Sequence, residues 1–277
     1  MRIFETIKSK NKLLEKYISY YYIDIADSAD YLNEYTCYPH FNNTVSLYKC
    51  HTINSTTGSS IINFEKDGPA LQIFTPLREK PLKVTQHGPV HKIGIVFKPF
   101  GINQFLAKEI EINKIVSSPS FIFFENKFVL HLFSQNSLSA IVNAIEEQLF
   151  KMFSPIENFY IEKALEIFHT AEDEFNIDEL AQTRLGISRK HLLRLFNKHI
   201  GTTPQKYRAI VRFRKLMNYH LNDEQQHNFT SLSHQAHYTD QSHLIKTCKQ
   251  LTGLTPSSFF KKGKIVGSED TFWSFTS

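Results

Sequence analysis

Short apolar runs in the first half of the chain predict β-strands. They are rich in β-branched and aromatic residues, and turn-forming residues separate them at Asn54–Ser59, Lys66–Pro69 and Gln86–Pro89. The runs are Tyr20–Ile25, Thr44–Tyr48, Ser60–Phe64, Ala70–Phe74 and Ile93–Phe97. Their spacing predicts a β-rich domain of about 130 residues.

Helical periodicity replaces this pattern in the following segment. Apolar residues recur every three or four positions from Leu138 to Met152, which predicts one amphipathic helix. We expect this helix either to close the β-rich domain or to supply a surface for a partner.

A second helix is predicted to begin at Ser154. Ser154 is a good N-cap, Pro155 suits the first helical turn, and Glu157 completes a capping box. Beyond it, short segments at helical spacing alternate with turns that contain Gly and Pro. The second half of the chain is therefore predicted to be all-α.

An internal repeat with an offset of 52 positions lies in this helical half. Without a gap, the offset places His191 on His243, Leu192 on Leu244, Gly201 on Gly253, Pro204 on Pro256 and Tyr207 on Phe259. A duplicated supersecondary unit explains a register that holds over so long a stretch.

Each repeat has the outline of a helix-turn-helix. A short helix, Ile177–Gln182 or Phe229–Gln235, is followed by a turn and by a longer helix. Ser188 and Asp240 are the predicted N-caps of the two longer helices.

The longer helix of the first repeat is predicted to have two different faces. Leu192, Leu195 and Phe196 fall on one side, whereas Lys190 and Arg194 fall on the other. The apolar side is expected to pack and the basic side to be presented to a ligand.

This arrangement suits DNA, because a major groove about 12 Å wide admits a helix and Arg can donate two hydrogen bonds to guanine. The predicted base-reading residues are Lys190, Arg194, Ser242 and Lys246. The residues predicted to meet the DNA backbone or to flank the bases are Arg189, Lys198, Lys206, Arg208, Gln241 and Lys249.

The distribution of charge also indicates a polyanionic partner. The 277-residue sequence has a net charge of +5, but the segment Ile177–Lys264 contains fifteen Lys or Arg and five Asp or Glu. That segment carries +10 and the rest of the chain −5. Such asymmetry favours nucleic acid, with a solvated basic surface as the alternative.

Composition restricts the class of protein further. Hydrophobic residues make up 41% and charged residues 21%, and no apolar run is long enough to span a bilayer. The N-terminal residues lack the pattern of a secretory signal. Cys37, Cys50 and Cys248 have no disulfide or metal-site spacing. We therefore expect a two-domain cytoplasmic protein with no membrane contact.

Catalysis and cofactors have little support in the sequence. His40, His51, His87 and His91 lack the spacing of a metal site, and no phosphate-binding loop or nucleophile elbow occurs. We expect no enzyme activity, no cofactor and no metal. The alternatives are an enzyme or DNA-repair protein that uses the helical half for targeting, and an RNA-binding adaptor.

The helical repeats resemble the AraC/XylS family of bacterial transcription regulators. The resemblance runs from about Ser154 to Lys262, and is carried by Ser188–Phe196, by Gly201–Tyr207 and by a Gly-x-x-Pro-x-x-aromatic ending that occurs twice. It implies two helix-turn-helix subdomains joined by a long helix from near Pro204 to about His220. It also implies base-facing positions for Lys190, Arg194, Ser242 and Lys246.

These observations predict an α+β two-domain protein that regulates transcription by binding specific double-stranded DNA. Residues 1–153 are predicted to form a β-rich regulatory domain with a closing helix. Residues 154–264 are predicted to form an all-α domain of two helix-turn-helix subdomains, and residues 265–277 an untethered tail. The N-terminal domain resembles effector or dimerisation domains of the same family only at Phe97–Leu106. A small-molecule effector, a homodimer through this domain and a contact with RNA polymerase stay open.

Overall fold

A computed structural model gives the structure of the protein and describes residues 2–107, 110–171, 175–221, 238 and 240–276. Two β-sheets occupy the N-terminal part, and helices occupy most of the C-terminal part. The predicted fold class is therefore confirmed.

The first sheet has six strands. In spatial order they are β1 (Arg2–Ile7), β2 (Ile18–Ala26), β9 (Val90–Phe97), β4 (Asn43–Tyr48), β7 (Leu71–Thr75) and β10 (Val116–Ser117). Strand β9 lies in the middle of the sheet and is almost wholly buried, which agrees with its run of Val and Ile residues. Gly94 in β9 lies opposite Tyr22, and a Cβ there would come within 2.0 Å of the Tyr22 ring. Glycine thus lets this ring lie across the strand.

The second sheet also has six strands. In spatial order they are β11 (Gly263–Ile265), β12 (Phe272–Phe275), β3 (Leu32–Cys37), β8 (Leu82–His87), β6 (Ser59–Phe64) and β5 (His51–Thr56). Strands β6 and β8 are parallel, and the other described neighbours in both sheets are antiparallel.

Helices α1 (Asn126–Leu132) and α2 (Leu138–Met152) complete the N-terminal domain, and α2 has the bounds that its periodicity predicts. The side chain of Ser137 caps α2 by accepting a hydrogen bond from the Ala140 amide. The apolar face of α2 packs into its own domain, where Ile145 and Leu149 have no exposed surface. This helix therefore closes the domain, and its apolar face is not free for a partner.

The prediction that a helix begins at Ser154 is wrong. Helix α3 (Phe159–Thr170) begins after Asn158, whose side chain accepts a hydrogen bond from the Ile161 amide. The amides of Ser154 and Ile156 donate instead to the backbone and side-chain oxygens of Gln104 in the N-terminal domain. Because another partner satisfies these donors, the segment before Asn158 does not need to be helical.

The remaining helices follow the predicted repeat closely. They are α4 (Ile177–Glu179), which continues as a π-helical turn at Leu180–Arg184, and then α5 (Arg189–His199), α6 (Pro204–Leu221), α7 (Gln241–Thr252) and α8 (Pro256–Lys262). Helix α6 confirms the long helix expected between the two units. The predicted first helix of the second unit, Phe229–Gln235, lies outside the described residues.

The helical domain packs directly against the N-terminal domain. Gly201, which follows α5, has φ of +80°, and a Cβ there would lie 2.6 Å from the backbone oxygen of Ile112. Only glycine therefore combines this turn with so close an approach. Tyr38 and Phe100 of the β-rich half share a hydrophobic cluster with the helices.

The expectation of an untethered tail is also wrong. Strand β12 pairs with both β11 and β3, so it becomes part of the second sheet of the N-terminal domain. Phe272 and Trp273 are buried there. Hydrophobic burial of two large aromatic side chains supplies the physical reason for this ordering.

Candidate nucleic-acid interface

Helix α5 has the two faces that the sequence predicts. Leu192 and Phe196 have no exposed surface, whereas Lys190 and Arg194 are exposed on the other side. The Ser188 hydroxyl accepts a hydrogen bond from the His191 amide at 3.1 Å, so the predicted N-cap is confirmed. The helix therefore offers a basic, solvent-facing surface on a rigidly packed element.

Arg194 has a neighbour within the same helix. Its guanidinium donates to Nδ1 of His191 at 3.0 Å. Lys198, one turn further along, is also exposed. Three candidate residues of the first unit thus lie along one face of α5.

Helix α7 repeats this design in the second unit. Asp240 Oδ1 accepts a hydrogen bond from the His243 amide at 2.7 Å, and α7 ends at Gly253 with φ of +76°. Leu244 and Cys248 are buried on the inner face. The candidates Gln241, Ser242, Lys246 and Lys249 are all exposed.

Arg189, Lys206 and Arg208, predicted to contact the DNA backbone, have defined neighbours within the protein. The Arg189 guanidinium lies 3.0 Å from a carboxylate oxygen of Asp178 in the same unit. The Lys206 ammonium lies 2.7 Å from a carboxylate oxygen of Glu79 in the N-terminal domain. The Arg208 guanidinium lies over the ring of Phe175 at 5.2 Å. The first and third contacts belong to the helical domain itself, but the second joins two domains.

Counting charge along the sequence overstates the charge that faces outward. Arg214 of α6 is only 4% exposed and turns toward the N-terminal domain. Its guanidinium donates to the backbone oxygen of Asp270 at 2.6 Å, and burial lowers the pKa of Arg214. This arginine belongs to the interior of the molecule and not to the candidate DNA surface.

A cavity of about 90 Å³ lies between the two sheets and reaches α6. Its wall contains Tyr20, Tyr22, Tyr35, Tyr48, Arg78, Lys92, Arg214 and Asp270. No sequence pattern predicted this site. The one local signal was Lys92, a charged residue in the apolar strand β9.

His40, Asn42 and Asp270 are linked by hydrogen bonds at the edge of the cavity. His40 Nε2 lies 2.7 Å from Asp270 Oδ2, and His40 Nδ1 accepts a hydrogen bond from the Asn42 amide at 3.0 Å. Nε2 therefore carries the proton and donates to Asp270. Burial lowers the pKa of His40 to about 4, and the nearby Arg214 adds to this effect. His40 is thus neutral at pH 7, while Asp270 is ionised beside Arg214.

Within the described ranges, no three His, Cys, Asp or Glu side chains are grouped so that they could hold a metal ion. No helix in that same part of the chain is long and apolar enough to cross a membrane.

The exposed, N-capped helix α5 and its repeat α7 define the class of protein, which is a DNA-binding transcription regulator. Comparison with protein families then identifies the domain. Residues 182–262 match a family described as a helix-turn-helix domain, and this part of the chain is a helix-turn-helix domain of the AraC type. The resemblance predicted from the repeats is confirmed.

Solved structures of ToxT from Vibrio cholerae are similar to this chain. A form described as unsaturated fatty acid bound has 10% sequence identity and a TM-score of 0.49, over 95% of this chain and 100% of that chain. Another, bound to a methylnaphthalenyl-butenoic acid, has 11% identity and a TM-score of 0.44, over 94% and 98%. The search of curated proteins found no match.

Proposed function

We propose that this regulator reads two adjacent major-groove segments with α5 and α7. The observation that carries the proposal is the repeated geometry: both helices are N-capped by a side chain, buried on one face and polar on the other. Joined by α6, the two helices suit groove segments about 34 Å apart on one side of the duplex.

The roles of individual residues follow from their chemistry. Lys190 and Arg194 of α5, and Ser242 and Lys246 of α7, are proposed to meet base edges. The proposed contacts to phosphates or flanking positions are Arg189, Lys198, Lys206, Arg208, Gln241 and Lys249. No catalytic step is required, and the site of action is the cytoplasmic DNA.

Selection of bound sequences from a random DNA pool by the full chain tests this function. We expect one enriched site with two half-sites about one helical turn apart, and an affinity that falls steeply with salt. Enrichment of single-stranded RNA in a parallel pool, with no enriched duplex DNA, would favour the adaptor alternative.

We further propose that the cavity binds a small anionic effector. Lys92 is 6% exposed and its ammonium lies 5.1 Å and 5.4 Å from the ring centroids of Tyr22 and Tyr48. Among the described residues, no carboxylate forms an ion pair with Lys92 or with Arg78, which also faces the cavity. A buried cation without a counter-ion is costly, so an anion with an aromatic or short apolar body fits this site.

Benzoate and its uncharged analogue benzyl alcohol are suitable probes of the cavity. The volume of about 90 Å³ is smaller than the volume of about 150 Å³ known to take benzene, so the cavity walls must move apart to admit either compound. We expect benzoate to raise the melting temperature of the full chain and benzyl alcohol to raise it less. Equal effects of both compounds on the native chain and on Lys92→Met would contradict an anion site.

Self-association through helix α2 would have to use the outer face of this helix. Phe150 is 58% exposed there, whereas the apolar inner face is buried. Sedimentation of Phe150→Asp beside the native chain tests this face. A contact with RNA polymerase stays a prediction.

A further inference from the structure

Strand β12 holds the end of the helical domain in the sheet of the other domain. It follows α8 of the second helix-turn-helix unit after the short hairpin partner β11, and pairs with β3. The indole of Trp273 stacks on Tyr35 with ring centroids 4.1 Å apart, and Phe4 meets it edge-on. The edge of β3 thus accepts an extended aromatic segment, the geometry of β-strand addition.

Polar contacts fix the segment that leads into β12. The carboxylate of Asp270 lies between His40 and Arg214, both nearly fully buried. The hydroxyls of Tyr20 and Thr271 lie 2.7 Å apart. Asp270 Oδ1 is buried and has no hydrogen-bond partner in the described part of the chain. The segment therefore supplies a carboxylate to a cavity wall that also contains Arg78, Lys92 and Arg214.

Glu79 makes a second connection between the domains, at the start of α6. One of its carboxylate oxygens accepts a hydrogen bond from the Thr202 hydroxyl at 2.5 Å, and the other from the Lys206 ammonium at 2.7 Å. Glu79 follows Arg78, whose backbone forms a β-bridge with His40 at the cavity edge. The two connections therefore meet at one edge of the cavity.

We propose that β12 acts as an intramolecular ligand of the β-rich domain, and that DNA binding is coupled to its release. The proposal rests on the proposed DNA-binding function, in which Lys206 contacts a phosphate. With β12 docked, the Lys206 ammonium pairs with the carboxylate of Glu79 instead of with a phosphate. Release of β12 frees the helical domain to withdraw Lys206 from Glu79. Because linkage is reciprocal, DNA that favours the released state must in turn favour release of β12.

Trp273 is the single tryptophan of the sequence, so its fluorescence reports directly on β12. In the native full chain we expect the emission of a buried indole with little quenching by acrylamide. Saturation with the selected DNA site should move the emission to longer wavelength and increase the quenching. Unchanged quenching on saturation with DNA would overturn the coupling.

Two variants of the full chain release the strand by different means. Asp270→Asn removes the carboxylate between His40 and Arg214, and Ser274→Pro removes a backbone donor within β12. Each should increase quenching of Trp273 without DNA and tighten DNA binding by at least about threefold at about 0.2 M salt, because one phosphate contact is regained. The slope of log affinity against log salt should steepen by about one.

Glu269→Gln is the matched control, because Glu269 is adjacent to Asp270 and its ion pair with Lys8, at 3.4 Å, involves a largely exposed lysine and contributes little to stability. We expect it to change neither quenching nor affinity. Circular dichroism identifies a variant that has lost its fold. If Asp270→Asn unfolds, the quenching and DNA affinity of Ser274→Pro test the coupling. Release of Trp273 with an unchanged DNA affinity and salt slope would overturn the proposal. Loss of DNA binding by the native chain would instead overturn the proposed function, while Trp273 would still report whether β12 is docked.

Discussion

Lys206 of the long helix α6 and Glu79 of the β-rich domain form an ion pair with a distance of 2.7 Å between nitrogen and oxygen. The Lys206 side chain is 60% exposed and that of Glu79 31%, so this pair contributes little to stability in water. The pair matters for DNA binding, because Lys206 is a proposed phosphate contact.

Glu79→Gln should therefore strengthen DNA binding. Loss of the carboxylate leaves Lys206 available to a phosphate, and we expect affinity to rise up to about threefold at low salt, with a salt slope steeper by about one. Fluorescence anisotropy of a labelled DNA site over a salt series measures both quantities. Glu65→Gln, at an exposed position after β6, makes the same change in net charge and should have a smaller effect.

The first recognition helix should determine more of the sequence preference than the second. Arg194 can make a bidentate contact with guanine, whereas Lys246 presents a flexible point charge. Arg194→Ala should cost about 1 to 3 kcal/mol on the selected site and relax the preference at one base pair. Lys246→Ala should weaken all sites more evenly.

Binding to single-base variants of the selected site distinguishes these outcomes. Lys127→Ala in α1 removes a charge outside the proposed interface and is the control. An unchanged first half-site in Arg194→Ala, together with lost discrimination in Lys246→Ala, would show that the order of the two helices is reversed.

Acid should destabilise the fold between about pH 6.5 and pH 4. Burial lowers the pKa of both His40 and His169 to about 4, from 6.5 in the unfolded chain. In this interval the unfolded state binds protons that the folded state does not, so the free energy of unfolding falls as the pH falls. Each histidine contributes up to about 3 kcal/mol to this loss.

Urea unfolding at a series of pH values measures the effect. His169 Nε2 lies 2.8 Å from the Tyr207 hydroxyl, and His169→Gln keeps a polar group at this position while removing the titration. We expect a shallower dependence on pH in this variant. His131→Gln, at an exposed position, should retain the native dependence, and an equal change in both variants would contradict the assignment.

The N-caps of the two recognition helices should support their stability separately. Removing the side-chain acceptor in Ser188→Ala or Asp240→Ala should cost about 1 kcal/mol each, because one amide of the first turn loses its partner. Asp240→Asn retains an acceptor and should stay close to the native melting temperature. A loss in Asp240→Asn as large as in Asp240→Ala would show that charge, and not capping, supports α7.

Local signals explain which helices the sequence could predict. Helix α2 has its predicted bounds, and α5 begins after its predicted cap Ser188. Both predictions succeeded because helical periodicity and N-capping depend only on residues a few positions apart in the sequence. The start predicted at Ser154 failed because Gln104, 50 positions earlier in the sequence, accepts its amide hydrogen. No local pattern contains that information.

Long-range pairing explains what the sequence did not show at the cavity and at β12. Trp273 pairs in register with Cys37, and four residues of β12 carry too short a pattern to identify so distant a partner. Arg214 lies among the basic residues of the second half, and only the packing of α6 shows that it faces the cavity. The base-reading roles of Lys190, Arg194, Ser242 and Lys246 stay predictions.

The position of β12 in the chain also sets an order of events during synthesis. Strands β1 to β10 lie within the first 117 residues, whereas β12 follows the whole helical domain. As the chain leaves the ribosome, the β-rich domain is available to fold first. At that stage one edge of β3 is unpaired, and the cavity lacks the part of its wall that the segment Asp270–Trp273 supplies. A small molecule present at that moment enters without displacing a strand. Newly made protein should therefore capture the proposed anionic effector faster than mature protein does.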